Sequence, residues 1–148
     1  MPQNPNQFLL ISCAIIDDEP VPHRQLTEYI QRMPNLTLVG NATNAPEGIR
    51  LCQDKHPDLL LLDIQMPQMN GIEMLAALPQ PHPLVIITSA HRDYALKGFD
   101  YGVVDFLEKP IFFDRFTQAI QRAETRLAQN QSRTEVVSAD ELYQREHL

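Results

Sequence analysis

Basic residues are scarce in this chain. Twelve Lys and Arg stand against nineteen Asp and Glu, for a net charge of -7 and an isoelectric point near 5.1. A nucleic-acid backbone is gripped by clustered Lys or Arg, so this balance excludes unaided DNA binding by these residues. Cysteine is nearly absent: Cys13 lies inside an apolar run and Cys52 in a helical stretch, with no CxxC or metal-ligand spacing. A disulfide framework is thereby excluded, and two ordinary buried thiols in a reducing interior are expected. Apolar runs stop well short of the roughly 20 residues that cross a bilayer. The opening Met1-Pro2-Gln3-Asn4-Pro5-Asn6-Gln7 carries no basic residue of the kind that begins a signal peptide, so the expected location is the cytoplasm. Neither G-x-G-x-x-G nor G-x-x-x-x-G-K-[ST] occurs, which removes the glycine-loop nucleotide binders. The histidines, His23, His56, His82, His91 and His147, show no ligand spacing.

What is present suffices for one core, since 43% of the 148 residues are apolar. Residues 8–16, 59–62, 84–87 and, apart from Asp105, 103–107 form apolar runs of the kind buried on both faces of a parallel sheet, and 36–39 is a shorter fifth candidate. Between them Leu26, Tyr29, Ile30 and Met33 recur with helical spacing, as do Phe116, Ile120, Ala123 and Leu127. Asn44 with Glu47 three residues on and Pro46 between them marks the start of a second helix that runs through Cys52. A short helix is expected over 71–78 and a weaker one over 91–101. Five β-α repeats predict a doubly wound (βα)5 parallel sheet with helices on both faces, a three-layer sandwich of the flavodoxin-like class with strand order 2-1-3-4-5. Residues 1–7 read as a disordered tail and 8–131 as the domain. After Gln129 the chain turns polar, so 132–148 read as a linker or a C-terminal helix extension toward an output domain.

In such a sheet the chemistry gathers at the carboxyl ends of the strands. Asp17-Asp18, Asp63, Thr88 and Lys109-Pro110 all sit at or just past the ends of the apolar runs, and so converge on one edge. Taken singly they have plain explanations: a capping pair, a turn aspartate, a strand-end threonine, a surface lysine. Together they set three carboxylates against one another, an arrangement that needs a cation, opposite an ammonium that suits a phosphoryl group. Magnesium takes oxygen ligands and keeps several waters, which makes Asp18, Asp63 and the backbone carbonyl of Gln65 the direct candidates, with Asp17 acting through water. Asp63 is then an anionic nucleophile toward phosphorus, and an acyl phosphate is the product. Pro67 and Gly71 fix the loop that follows it. Thr88 offers a hydroxyl to the phosphoryl oxygens, and Lys109 a point charge.

These residues resemble the receiver domain of two-component response regulators. The resemblance spans 8 to about 128 and rests on the acidic pair, the D-x-x-M-P-x-M-x-G stretch from Asp63 to Gly71, Thr88-Ser89-Ala90 and Lys109-Pro110. The stretch from Thr88 to Phe99, with Val104-Asp105-Phe106-Leu107-Glu108-Lys109-Pro110-Ile111, is similar to the LytTR (LytR/AlgR) branch, in which a DNA-binding domain usually follows. The resemblance implies that a histidine kinase's phosphohistidine supplies the phosphoryl group to Asp63 and that Thr88 then moves toward it. It implies a cis Lys109-Pro110 bond and places Phe106 at the aromatic switch position, where packing alone must serve because the ring has no hydroxyl. Gln65 and Ala90 border the path of attacking water and so bear on phosphate lifetime. The output expected is a homodimer through the fourth helix, fifth strand and fifth helix, controlling transcription through a separate DNA-binding domain.

The chain thus reads as a switch that promotes its own phosphorylation and dephosphorylation rather than as an enzyme. An aspartate-nucleophile phosphohydrolase would need a second acid two residues after the nucleophile, where Gln65 stands and cannot protonate a leaving group. A pseudo-receiver that binds partners without phosphorylation has no sequence feature in its favour.

Overall fold

The computed structural model describes residues 7–130 and 136–146. Its elements run β1 (Gln7–Leu9), β2 (Ile11–Ile16), α1 (Pro20–Gln31), β3 (Leu36–Ala42), α2 (Ala45–Lys55), β4 (Leu59–Asp63), α3 (Gly71–Ala77), β5 (Leu84–Ser89), a 3-10 turn (Arg92–Tyr94), α4 (Ala95–Phe99), β6 (Asp105–Glu108), α5 (Phe113–Gln129), β7 (Val136–Ser138) and α6 (Ala139–Glu146). Five parallel strands form the main sheet in the order β3-β2-β4-β5-β6. This is the expected 2-1-3-4-5 arrangement, renumbered by the small strand that precedes it.

Alternation along the strands divides the core in two. Leu59 and Leu61 of β4 join Ile11, Cys13 and Ile15 of β2 under α1 and α5, where Leu26, Tyr29, Ile30, Phe116, Ile120 and Ala123 are buried. Leu60 and Leu62 face the other way with Ile16, Val85 and Ile87, under Ala45, Cys52, Met74 and Leu75 of α2 and α3. The continuous apolar runs therefore arise because both faces of these strands are covered. Both cysteines are free and buried. Burial, with a smaller push from Asp58, raises the Cys13 thiol to about 12, so it packs as an apolar group.

Local signals set the helix boundaries. Asn44 caps α2 by accepting from the Glu47 N–H at 2.9 Å. Asn70 and Glu73 form a reciprocal capping box at α3 that the sequence reading overlooked. The fourth helical region is shorter than expected: only Ala95–Phe99 is α-helical, preceded by the 3-10 turn. The last strand of the sheet is likewise later than expected, at Asp105–Glu108, and just before it the Val104 N–H donates to the Val85 carbonyl of β5.

The ends of the chain depart from the sequence reading. The first apolar run breaks at Leu10 into two strands with different partners: β2 enters the main sheet, whereas β1 pairs antiparallel with β7, Phe8 opposite Val137. The Asn35 side chain donates to the Leu9 carbonyl at 3.0 Å, and the Asn35 carbonyl accepts from Ile11 N–H at 2.9 Å, bracketing the break with polar contacts. Gln7, assigned to the tail, thus belongs to a strand, while 1–6 lie outside the described residues. Beyond α5, which ends at Gln129, the chain does not extend that helix. Val136–Ser138 returns to β1 and a separate α6 follows, because Val137 and Leu142 supply apolar side chains that become buried. Residues 131–135 and 147–148 of the expected linker lie outside the described residues.

Candidate functional site

The carboxyl ends of β2, β4, β5 and β6 meet at one edge, with Asp63 in register with Thr88, and Ser89 with Glu108. Asp17 follows β2 and donates its backbone N–H to the Ala42 carbonyl at 3.1 Å; its Oδ1 accepts the Glu19 N–H at 2.8 Å. Asp63 ends β4, and its Oδ1 accepts the Gln65 N–H at 3.2 Å. Both aspartates are 1% exposed, whereas Asp18 and Glu19 lie open to solvent. One carboxylate oxygen from each of Asp17, Asp18, Glu19 and Asp63 lies within 4.8 Å of the others.

Lys109 faces this cluster. Its backbone N–H donates to the Ser89 carbonyl at 2.7 Å, and its peptide bond to Pro110 is cis. The ammonium stands 3.0 Å from Asp17 Oδ2, 3.2 Å from Glu19 Oε1 and 3.4 Å from Asp63 Oδ1. Close approach of α3 completes the floor, with the Gly71 N–H donating to the Ile64 carbonyl at 2.8 Å.

Burial pushes the Asp63 carboxyl well above the ordinary aspartate range, and the charge of Asp17 adds to the push; Lys109 and the Gln65 N–H only partly oppose it. Burial lowers the Lys109 ammonium, but Asp63, Asp17 and Glu19 outweigh that and hold it above its usual value. Among the described residues, three buried side-chain oxygens are left without a hydrogen bond: Asp63 Oδ2, Thr88 Oγ1 and Asp17 Oδ2, the last having only its ion pair with Lys109. Buried polar atoms are nearly always satisfied, so three together at one strand edge mark a place that receives an external group. Hard oxygens in excess of positive charge fit a divalent cation such as magnesium, which would offset the repulsion that raises Asp63.

The remaining predicted residues surround this centre. Phe106 on β6 is half-buried and packs against the α2–α3 side of the core. Gln65 and Ala90 are exposed at the rim. Two features escaped the sequence reading. One is Glu19, for which its place directly after the acidic pair was the available signal. Asp105 is buried beneath two arginines: Arg115 donates to both its oxygens at 2.8 and 2.7 Å, and Arg122 Nη1 lies 2.9 Å away. The same carboxylate accepts the Phe106 N–H at 2.8 Å, and Arg115 also donates to the Phe106 carbonyl at 3.2 Å, clamping the backbone on both sides of that ring. Burial alone would raise Asp105; the Arg115 hydrogen bonds, the Phe106 N–H and the charges of Arg115 and Arg122 win and hold it low.

This chain is similar to known proteins. An uncharacterised response regulatory protein of Vibrio cholerae is 37% identical over 114 residues, covering 76% of this chain and 48% of the relative. The transcriptional regulatory protein BtsR of Escherichia coli K12 is 36% identical over 128 residues, 86% of this chain and 52% of its own length. The chain thus spans about half the length of these curated relatives. Among solved structures, a LuxR-family two-component response regulator from Aurantimonas is 26% identical with a TM-score of 0.72, covering 78% of this chain and 85% of that one. The response regulatory domain of mrkE from Klebsiella pneumoniae, 21% identical, shares the fold at a TM-score of 0.74 over 80% of this chain and 99% of that one. The model of the response regulator receiver domain family matches residues 13–121, and with the relatives above it establishes that this chain belongs to the receiver domains of two-component response regulators.

Proposed function

We propose that this receiver accepts a phosphoryl group on Asp63 from the phosphohistidine of a histidine kinase, in the presence of magnesium, and converts it into a change of its α4–β6–α5 face. The observation that carries the reading is the Lys109 ammonium 3.4 Å from Asp63 Oδ1 and 3.0 Å from Asp17 Oδ2, beside an unpartnered, buried Thr88 hydroxyl. Asp18, Asp63 and the Gln65 carbonyl would hold the ion, with Asp17 through water; it supplies neutralisation of the carboxylates and of the transferring oxygens. An Asp63 carboxylate oxygen forms the bond to phosphorus while the phosphorus–nitrogen bond to the donor imidazole breaks, and the departing nitrogen keeps the electron pair. Lys109 meets one phosphoryl oxygen and Thr88 donates to another, so the modification favours the loop arrangement in which both contacts are made. Phe106 turns inward as Thr88 moves, by packing alone. Gln65 and Ala90 flank the approach of hydrolytic water, and Ala90 has no polar group to orient it.

Dimerisation through α4, β6 and α5 follows as the output. Relatives of which the match covers about half include transcriptional regulators, which supports control of transcription through a DNA-binding domain of the LytTR type beyond the matched half, in the cytoplasm. The domain acts here as a signalling component rather than a turnover catalyst.

The test is incubation with acetyl phosphate or beryllofluoride, with and without magnesium. Wild type takes up one adduct in a magnesium-dependent manner and Asp63→Asn takes up none. An adduct that survives this substitution refutes Asp63 as acceptor, steady turnover of a generic phosphate ester points to a hydrolase, and no uptake under any condition points to a phosphorylation-independent module.

A further inference from the structure

Glu19 has no part in the chemistry above, yet it reaches the same ammonium. Lys109 carries three N–H donors, and three acids stand around it: Asp17 at 3.0 Å, Glu19 at 3.2 Å and Asp63 at 3.4 Å. Two of these acids form the buried floor of the site. Glu19 alone is solvent-facing, its side chain 59% exposed against 1% for Asp17 and Asp63. Its backbone is nevertheless fixed, because the Glu19 N–H donates to Asp17 Oδ1 at 2.8 Å and Pro20 begins α1 directly after it. The side chain is therefore hinged at the mouth of the site from a rigid base.

An arriving phosphoryl group needs the ammonium that these acids hold. Of the three contacts, the one to Glu19 is the cheapest to release, since an exposed ion pair in water contributes little and the freed carboxylate is rehydrated at once. The same carboxylate lies within 4.8 Å of ligand oxygens on Asp17, Asp18 and Asp63 and adds its charge to the field that attracts a divalent cation. The buried, unpartnered oxygens of Asp63 and Thr88 mark this cluster as a place that takes a ligand. From these contacts we infer that Glu19 is a positioning residue with two opposed effects: it detains Lys109 in the resting state and strengthens magnesium binding. The inference rests on the phosphoacceptor reading above.

Glu19→Gln keeps the side chain's length and removes its charge. Magnesium affinity, read by titration calorimetry, weakens roughly three- to tenfold, while phosphorylation by acetyl phosphate at saturating magnesium becomes faster. Glu19→Asp keeps the charge and shortens the reach, so affinity stays within about twofold of wild type while the faster transfer persists. A merely structural role would move both quantities in the same direction. Unchanged affinity and rate in Glu19→Gln, or a joint fall, overturns the inference. Asp63→Asn, run alongside, separates the two claims: uptake in that variant sinks the acceptor assignment, whereas an inert Asp63→Asn with an unaltered Glu19→Gln sinks only the role of Glu19.

Discussion

Gly71→Ala tests how Asp63, the proposed acceptor, is held. A methyl group built at Gly71 would lie 2.5 Å from the Asp63 carbonyl oxygen, 3.0 Å from Ile64 Cα and 3.2 Å from the Asp63 carbonyl carbon. Ordinary carbon–oxygen contacts begin at about 3.3 Å, so the overlap with the oxygen is roughly 0.8 Å. All three neighbours are backbone, so no side chain can rotate away. Either α3 lifts or the end of β4 moves, and β4 ends in Asp63 itself. Overpacking of this kind costs about 1–3 kcal/mol, against which the better helix propensity of alanine returns at most about 1 kcal/mol. Urea denaturation should show a net loss of about 1–2 kcal/mol. Phosphorylation from acetyl phosphate should slow by as much as about a hundredfold, the usual penalty for a misplacement near 1 Å. Gly102→Ala is the control: its φ of +71° strains an alanine by about 1–2 kcal/mol, but nothing lies within 4 Å and the site is untouched. Wild-type stability and wild-type phosphorylation in Gly71→Ala would show that the loop yields freely and that this contact does not set the position of Asp63.

Thr88→Val keeps the branched shape and deletes an unpaired buried hydroxyl, so the resting protein should gain up to about 1 kcal/mol in a thermal or urea melt, while the extra stabilisation brought by beryllofluoride shrinks; a loss of resting stability would mean the hydroxyl is bonded. Asp105→Asn should cost about 1–3 kcal/mol at pH 7 by breaking charged hydrogen bonds. Because the folded Asp105 carboxyl is held below its ordinary value of 3.8, its contribution is whole above that value and fades as pH falls through the folded one, so the gap between wild type and variant should close in strong acid; a gap that persists there contradicts the assignment. Leu142→Ala should raise amide exchange across 136–146 and leave β4 protected, with a local cost of about 2 kcal/mol; uniform loss of protection would show that α6 belongs to the main cooperative unit.

Much of the sheet was legible because its strands are covered on both faces: the apolar stretch 59–62 has no other comfortable place, and the acids, Thr88 and Lys109 fall at the ends of such stretches. The ends of the chain were not legible. Leu10 is as apolar as its neighbours, so nothing in the run signals that Asn35, a residue 25 positions away, brackets a break there. Val136 and Val137 form too short an apolar pair, after a polar stretch, to announce a strand whose partner lies near the start of the chain. Asp105 looked like an interruption of a strand because its arginines sit ten and seventeen residues later on a helix, outside any local spacing rule. Glu19 directly follows the acidic pair, so its place at the site was within reach of the sequence.

The antiparallel ribbon of β1 and β7 ties the departing chain to its own beginning. Between that knot and Asp17 runs all of β2, six residues or about 20 Å of extended backbone. α6, which follows β7 directly, therefore starts from the pole opposite the acidic edge. Trimming Gln7–Leu9 would accordingly untether the far end of the protein while leaving the acidic cluster intact.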